Sequence, residues 1–297
     1  MNKSDLVRVN GPTSFWDHKN KFTFDLSEVS FVNWNTGGSN SISGLVGMHF
    51  KRQFLKDDLK WGNEVIVRYG VNKQEDQKLR KTDDNFEFVS TLGYRFREDS
   101  NWFYSSKLSF KSQFTHGYNY PNRDETISQF MAPGYLFVGS GAEFTSDDAK
   151  RILYLSPITM KSTFVLNQRL ADEGAFGVKE AVYDVNGNMI REGEKSRVEL
   201  GLLITNELTK EILENVEIFS RLSLYSDYAH NFGNVDVDWE LNLNFKVNGY
   251  IKASFGSHLK YDDDVKVKIE NSEGDIVEGG SKIQWKQQLG IGLVVEL

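Results

Sequence analysis

The amino-acid sequence predicts an all-β fold: a single antiparallel transmembrane β-barrel of about twelve strands, with short periplasmic turns and longer extracellular loops. Three observations carry the expectation. The first is the stretch Val235–Val247, which alternates without a break. Val235, Val237, Trp239, Leu241, Leu243, Phe245 and Val247 fall on one face, and Asp236, Asp238, Glu240, Asn242, Asn244 and Lys246 on the other. Side chains alternate faces along a strand, so this is a strand with one oily and one wet side. At roughly 3.3 Å per residue it is long enough to cross a bilayer at a tilt, which takes roughly 9–11 residues. The second is an even strand count with connections that alternate between short and long. The third is a mean hydropathy of −0.47 with no apolar run that could form a membrane helix, as alternating strands average to polar.

Composition excludes several classes. The chain has 297 residues, 13% aromatic, 26% charged, 4 prolines and no cysteine, with a net charge of −7. No basic stripe is present, which argues against nucleic acid as a partner. The absence of cysteine removes disulfides and thiolate metal sites. Met1-Asn2-Lys3-Ser4-Asp5 leads into polar sequence with no apolar h-region, so an outer-membrane location expects a secretory signal to have been removed.

Residues 1–18 have no sustained period and read as a periplasmic lead-in or small plug, followed by a barrel over residues 19–297. The first strand is expected from about Lys21, with Phe22, Phe24 and Leu26 on one face and a phase slip near Glu28-Val29 that suggests a bulge. After the glycine-rich turn Asn35–Asn40, strand two carries Ile42, Val46, Met48 and Phe50. A short turn at Leu55–Lys60 leads to strand three, with Val65, Val67 and Tyr69. A long polar loop, Lys73 to Asn85, precedes strand four (Phe86, Phe88, Leu92, Tyr94, Phe96). The turn Glu98–Asn101 joins it to strand five (Trp102, Tyr104, Leu108, Phe110, Phe114).

A second long loop runs from about Thr115 to Met131. Strand six, about Pro133 to Phe144, turns through Asp147-Asp148 into strand seven, where Ile152, Tyr154, Ile158, Met160 and Phe164 are expected to share a face. The third long loop, Asn167 to Glu194, carries a hairpin signal at Asp184–Asn188. Strand eight (Val198, Leu200, Leu202, Ile204) and strand nine (Val216, Ile218, Leu222, Leu224, Tyr228) are joined by the turn Lys210–Asn215. Strand ten is the opening stretch; Asn248-Gly249 is a hairpin turn into strand eleven (Ile251, Ala253, Phe255, Leu259, Tyr261). A charged loop over about Asp262–Ser281 precedes strand twelve, with Ile283, Trp285, Leu289, Ile291, Leu293, Val295 and Leu297 on one face. Many barrels of this kind end on an aromatic residue; Leu297 departs from that.

Several phrases in order carry a resemblance: N-W-N-T-G-G-S-N-S at 33–41, R-K-T-D-D-N at 80–85, F-Y-S-S-K-L-S-F-K-S-Q-F at 103–114 and G-Y-N-Y-P at 117–121. L-S-P-I-T-M-K-S-T at 155–163, V-D-W-E at 237–240 and L-K-Y-D-D-D at 259–264 continue the set. Together they resemble the Bacteroidota outer-membrane β-barrel family catalogued as domain of unknown function 3078. The resemblance implies an outer-membrane location and brings no catalytic residue.

The faces name candidate site residues. Trp239, Leu241, Leu243, Phe245, Trp285 and Leu293 are expected to face lipid. Glu87, Arg95, Lys107, Lys111, Glu217, Arg221, Asp236, Asp238, Glu240, Lys246 and Lys252 are expected to face the lumen, with Glu199 and Lys286. These charges either line a narrow aqueous path or, pairing across adjacent strands, form a lattice that seals it. Among His18, His49, His116, His230 and His258, only His49 and His258 fall on the inward phase, and none sits beside a lipid-facing serine as a hydrolase base would. Asp262-Asp263-Asp264 with Glu270, Glu273 and Asp275 could supply oxygen ligands for calcium, but the spacing matches no EF-hand and such loops are more often only solvated. Trp34 with Asn35–Asn40 could hold a polar ligand, although turn chemistry alone accounts for the glycines. No cofactor and no metal are expected. The function expected is a structural or assembly-type barrel with an occluded lumen that meets protein or glycan through its loops. The alternative is a small-solute channel or transporter, with a lipid hydrolase third.

Overall fold

The computed structural model describes residues 15–31, 39–229, 232–270 and 276–297, with backbone only at 267–270 and 276–278. Twelve antiparallel strands close on themselves: β1 Trp16–Val29, β2 Ser41–Lys56, β3 Leu59–Gln74, β4 Arg80–Arg95, β5 Trp102–Ser112 and β6 Gly134–Thr145. They continue as β7 Arg151–Phe164, β8 Ser196–Leu213, β9 Val216–Asp227, β10 Asp236–Lys246, β11 Ile251–Tyr261 and β12 Gln284–Glu296. Each strand pairs with its sequence neighbours, and β1 pairs with β12 through Lys21 opposite Glu296 to Leu26 opposite Ile291. Closure joins the first strand to the last, so the sheet has no free edge strand. Among the described residues no helix is long and apolar enough to cross a membrane.

The outer surface is apolar because the alternation holds around the ring. Trp285, Leu289, Ile291 and Leu293 on β12 are exposed, as are Trp239 and Phe245 on β10 and Val198 and Leu200 on β8. Leu241 and Leu243 lie on the same face of β10, half-covered by neighbours. Three tryptophans on this face are paired with serines on the neighbouring strand. The indole N–H groups of Trp61, Trp239 and Trp285 donate to the hydroxyls of Ser90, Ser220 and Ser257 at 3.0, 3.1 and 3.0 Å. In hydrocarbon a lone donor is costly, so a tryptophan beside a serine on the adjacent strand satisfies both. Near the short-turn rim aromatic side chains gather: Trp16 on Phe54 and Trp61, Phe96 on Tyr104, Trp102 on Phe144. Such girdles mark membrane–water interfaces.

Several boundaries differ from the sequence expectation. β1 begins at Trp16, inside the stretch read as a lead-in, and pairs with β2 without a register shift as far as Val29. The bulge expected at Glu28-Val29 is therefore absent from that ladder; alternation stops there while backbone pairing continues. Whether residues 1–14 form a plug lies outside the described residues. β3 and β4 likewise run on through residues read as a loop, leaving only 75–79 as the connection. Polar side chains cost nothing on a hairpin standing beyond the membrane, and the ladder bonds persist.

The turn expected over Lys210–Asn215 shrinks to Glu214-Asn215, with Asn215 at a positive φ of 64°. The Asn248-Gly249 connection is wider than a two-residue turn: the Asn248 side chain accepts from the backbone N–H of Tyr250 and Ile251, both at 2.9 Å.

The largest correction is in β7. Tyr154 is almost wholly buried inside the barrel and Ile152 lines a lumenal cavity, whereas Ile158 is exposed outside. The register of β7 against β6 shifts between Ser140 and Ala142, and against β8 between Gly201 and Leu203, opposite Ser156-Pro157-Ile158. Proline has no N–H to give to the ladder and is tolerated in sheets at bulges. The bulge inserts one residue and flips the faces, so even positions point inward below it and odd positions above it.

The loops are more structured than expected. The loop after β7 carries helix α1, Gln168–Asp172, whose first turn is capped by Asn167 accepting from the Leu170 N–H at 3.2 Å. Leu170 and Ala171 pack with Ala132, Val165 and Val178 into a small apolar core at the mouth, with Ala175 and Phe176 against it. Its hairpin pairs Val182–Tyr183 with Met189–Arg191 around Asp184. Residues 117–118 pair with 126–128, and Lys266–Glu270 pairs with Ile276–Ser281.

Candidate functional site

The alternation that puts apolar groups outside delivers charge to the interior, and the tier at mid-height is the densest. Arg221 on β9 reaches Glu87 on β4 with both terminal nitrogens, at 3.1 Å each, and Glu240 on β10 at 3.0 Å. Arg68 on β3 donates to the other oxygen of Glu240 at 2.8 Å and lies 3.7 Å from Asp83, which Lys286 on β12 also meets at 2.7 Å. Lys111 on β5 lies 3.7 Å from Glu87 and 3.5 Å from Asp238, and Asp238 meets His258 at 2.7 Å.

In the ring order β9 is five strands from β4, and β10 is five from β3, close to diametric in a barrel of twelve. The pairs Arg221–Glu87 and Arg68–Glu240 therefore span the lumen from wall to wall. A guanidinium fork on a carboxylate also fixes orientation as well as distance. Glu87 and Glu240 are only 4% and 7% exposed; this cross-lumen tier is termed the septum.

Two further tiers stack along the axis. Toward the long loops, Lys161 on β7 meets Asp236 at 2.7 Å, Asp262 at 3.4 Å and Glu199 at 3.6 Å. Arg197 links Glu199 at 3.3 Å to Asp264 at 2.8 Å. The start of the β11–β12 loop is thereby tied down onto β7 and β8. Toward the short turns, Lys60 pairs with Glu143 at 2.8 Å, and both Lys60 and Arg95 lie over the Phe103 ring.

A cavity of about 440 Å³ lies on the short-turn side, and one of about 350 Å³ lies toward the loops, where Phe176 and Val265 reach its lining. The two share only Glu207 and Arg221 among their lining residues.

The residues singled out from the sequence divide as follows. Glu87, Lys111, Arg221, Asp238 and Glu240 come together in the septum. Asp236 joins Lys161 and Glu199 above it, and Arg95 lies at the lower rim beside Asp58 at 3.6 Å. Lys107 lies over the ring of Tyr154, apart from the septum. Glu217 and Lys252 line the lower cavity, and Lys246 is exposed opposite Lys252. Arg68, Asp83 and Lys161 were not singled out, although Arg68 alternates with Val67 and Tyr69 and so stood on an inward phase. What the sequence could not supply is which charge meets which, since several partners are on opposite walls rather than on adjacent strands.

Among the described residues no histidine is hydrogen-bonded to a serine: His49 contacts Glu64 and His258 contacts Asp238. The acidic run does not converge either: Asp262 faces Lys161, Asp263 accepts from Asn234 at 2.7 Å, and Asp264 faces Arg197. No group of three or more possible metal ligands forms among the described residues. Glu273 and Asp275, and the Trp34–Gly38 part of the proposed polar-ligand turn, lie outside them.

A closed antiparallel ring with an apolar belt, an aromatic girdle and a charged interior defines the class of outer-membrane β-barrels. The profile of the family described as a protein of unknown function (DUF3078) matches residues 26–118, from β1 through the start of the loop after β5. The resemblance drawn from the sequence phrases is met over that part of the chain. No curated protein matches in sequence.

The chain is similar in architecture to an outer-membrane channel from Pseudomonas putida F1, at 9% identity and a TM-score of 0.43, covering 94% of this chain and 95% of that one. It is similar also to the translocator domain of the autotransporter NalP from Neisseria meningitidis, at 9% identity and 0.35, covering 96% and 90%. A FadL homologue from Pseudomonas aeruginosa aligns at 10% identity and 0.32, covering 93% and 88%. These likenesses are to barrels of the outer membrane and lend no argument about function.

Proposed function

We propose that this protein is an outer-membrane barrel of structural or binding type, with an occluded lumen, that meets a protein or glycan partner through its long loops. The observation that carries the reading is the wall-to-wall bridge of Arg221 to Glu87 and Arg68 to Glu240. Charges in such a bridge are held by partners on both sides, and a hydrated ion passing the tier must break them. The capped mouth, with helix α1 and the loop latch of Arg197 on Asp264, supports the same reading. A second reading, a gated channel for a small solute, is favoured by the two cavities that meet at Glu207 and Arg221. Conductance of the purified full chain in a planar bilayer separates them. Silence or rare brief openings are expected; a large steady conductance in the unaltered protein would overturn the occluded reading in favour of the channel.

A further inference from the structure

The join that closes the barrel is partial. β1 and β12 pair over six positions, from Lys21 opposite Glu296 to Leu26 opposite Ile291, with Asn20 and Leu297 exchanging bonds at 2.9 and 2.8 Å just below. Toward the long loops both strands continue, but among the described residues no further pairing joins them. On their other sides the ladders run on: β1 holds β2 as far as Val29 opposite Ser41, and β12 holds β11 as far as Gln284 opposite Lys260. Continuing the register of the join would set Glu28 opposite Leu289 and Ser30 opposite Gln287.

Strand parity shows which groups are left over. Leu297 bonds Asn20 across the seam, while Val294 donates to Tyr250 on the β11 side. Bonded positions alternate along an antiparallel ladder, so the backbone N–H and C=O of Trp285, Gln287 and Leu289 face the seam, as do those of Glu28 on β1. Exposure reports the same break. Asp25, inward and within the join, is 8% exposed, whereas Val29, inward and above it, is 48% exposed. Ser27, Glu28 and Ser30 are exposed as well, and so are Gln284, Trp285, Lys286 and Gln287. Inward and outward positions are thus open alike on the two strand halves.

We propose that the upper seam is a strand-addition site, which takes an extended segment of a partner protein against Gln284–Gly290 of β12. An unpaired row of backbone donors and acceptors is a template for another strand. Lipid tails offer it no hydrogen bonds, and a helix keeps its own backbone groups occupied internally. An extended chain presents the complementary row. The side chains set the rest: Trp285 and Leu289 point to lipid with Gln287 between them, and Lys286 and Gln288 point to the lumen. The segment that fits is about seven residues long and alternates, apolar toward lipid and small or polar toward the lumen. The inference goes beyond the occluded-lumen reading, since neither the septum nor the cavities enter it.

The chain has no cysteine, so introduced thiols are the only ones. The full chain in non-ionic detergent, carrying Glu28→Cys with Leu289→Cys, tests the opening; Phe24→Cys with Leu293→Cys, a pair inside the join, is the reference. Under a mild oxidant the reference pair is expected to close, and the upper pair at least about tenfold more slowly, as Cα atoms more than about 7 Å apart cannot be bridged without backbone movement. Equal rates overturn the proposal, because the seam is then zipped to its top.

A capped synthetic peptide copying Ile251–Tyr261, the segment already paired with this half of β12 on its other side, serves as the partner strand, with Ser257→Cys. Mixed with the chain carrying Gln287→Cys alone, which replaces one exposed side chain, it is expected to give a one-to-one disulfide adduct. The yield should fall at least about tenfold when alternate peptide N–H groups are methylated, the scale of about two backbone hydrogen bonds. With Leu293→Cys in place of Gln287→Cys no adduct should form. An adduct no greater than that of a scrambled peptide overturns the proposal, as does equal yield from the methylated one. Disulfide dimers of the Gln287→Cys chain that form without peptide overturn it in favour of a second copy of this chain. Bilayer conductance of the unaltered protein reports on the lumen separately.

Discussion

Arg221→Met is the sharpest test of the septum. The side chain it replaces makes three charge-assisted contacts, two to Glu87 and one to Glu240. Methionine keeps much of the volume and removes the charge. Breaking a buried pair by deleting one partner costs about 3–5 kcal/mol, because the other charge is left uncompensated away from water. Here the lower end applies: Lys111 remains 3.7 Å from Glu87, and Arg68 remains on Glu240 at 2.8 Å. The cavities on either side also let water approach the orphaned carboxylate. The expected loss is thus about 3 kcal/mol. Equilibrium urea unfolding in lipid vesicles, followed by the fluorescence of the 6 tryptophans, measures it. Arg221→Met with Glu87→Gln removes both charges and should recover more than half of the loss. In a planar bilayer the single variant should open more often than the parent, since one strut of the bridge is gone. A single variant within about 1 kcal/mol of the parent, the range of an exposed pair, would refute the reasoning. A double variant less stable than the single would do so as well.

Three further outcomes are expected. An arginine at Leu241 or Leu243 should cost about 2–4 kcal/mol in the same unfolding assay, whereas substitution of Asn242 on the lumenal face should cost much less; equal damage from both faces would argue against a lipid-facing β10. Neutralising Asp236, Asp238 and Glu240 together should lower stability more than it shifts ion selectivity, because they serve Lys161, Lys111 and Arg68 as partners; an intact barrel with altered selectivity would mean that these carboxylates line an open path. Protease added to intact cells should nick the hairpin tip near Val185, which is fully exposed, before the two-residue turn Glu214-Asn215; cleavage confined to that turn would invert the orientation.

The barrel follows from the residue pattern along the chain. A period of two over a membrane-spanning length commits each strand to one lipid face and one lumenal face, and the alternation of connection lengths assigns the rims. These are local properties, set by the backbone pleat and by which neighbour along the chain is apolar, so Val235–Val247 declares its faces with no partner in view. For the same reason the outward phase of Trp239, Leu241, Trp285 and Leu293 and the inward phase of Glu87, Arg221 and Glu240 follow from the chain alone. The reading failed where one residue changed the local rule. Pro157 could have warned of a bulge, but the pairing of β7 with both neighbours decides where the extra residue goes, and with it that Tyr154 points inward. The septum was beyond local rules altogether. Arg221 and Glu87 are 134 positions apart in sequence and on nearly opposite walls, brought within 3.1 Å because closure at twelve strands makes the lumen about as wide as two long side chains. Strand number and stagger set that width, and only the closed ring fixes which charge stands across from which. Lys107 was legible as an inward lysine; that it faces an aromatic ring and a cavity, rather than a carboxylate, depends on the same closure.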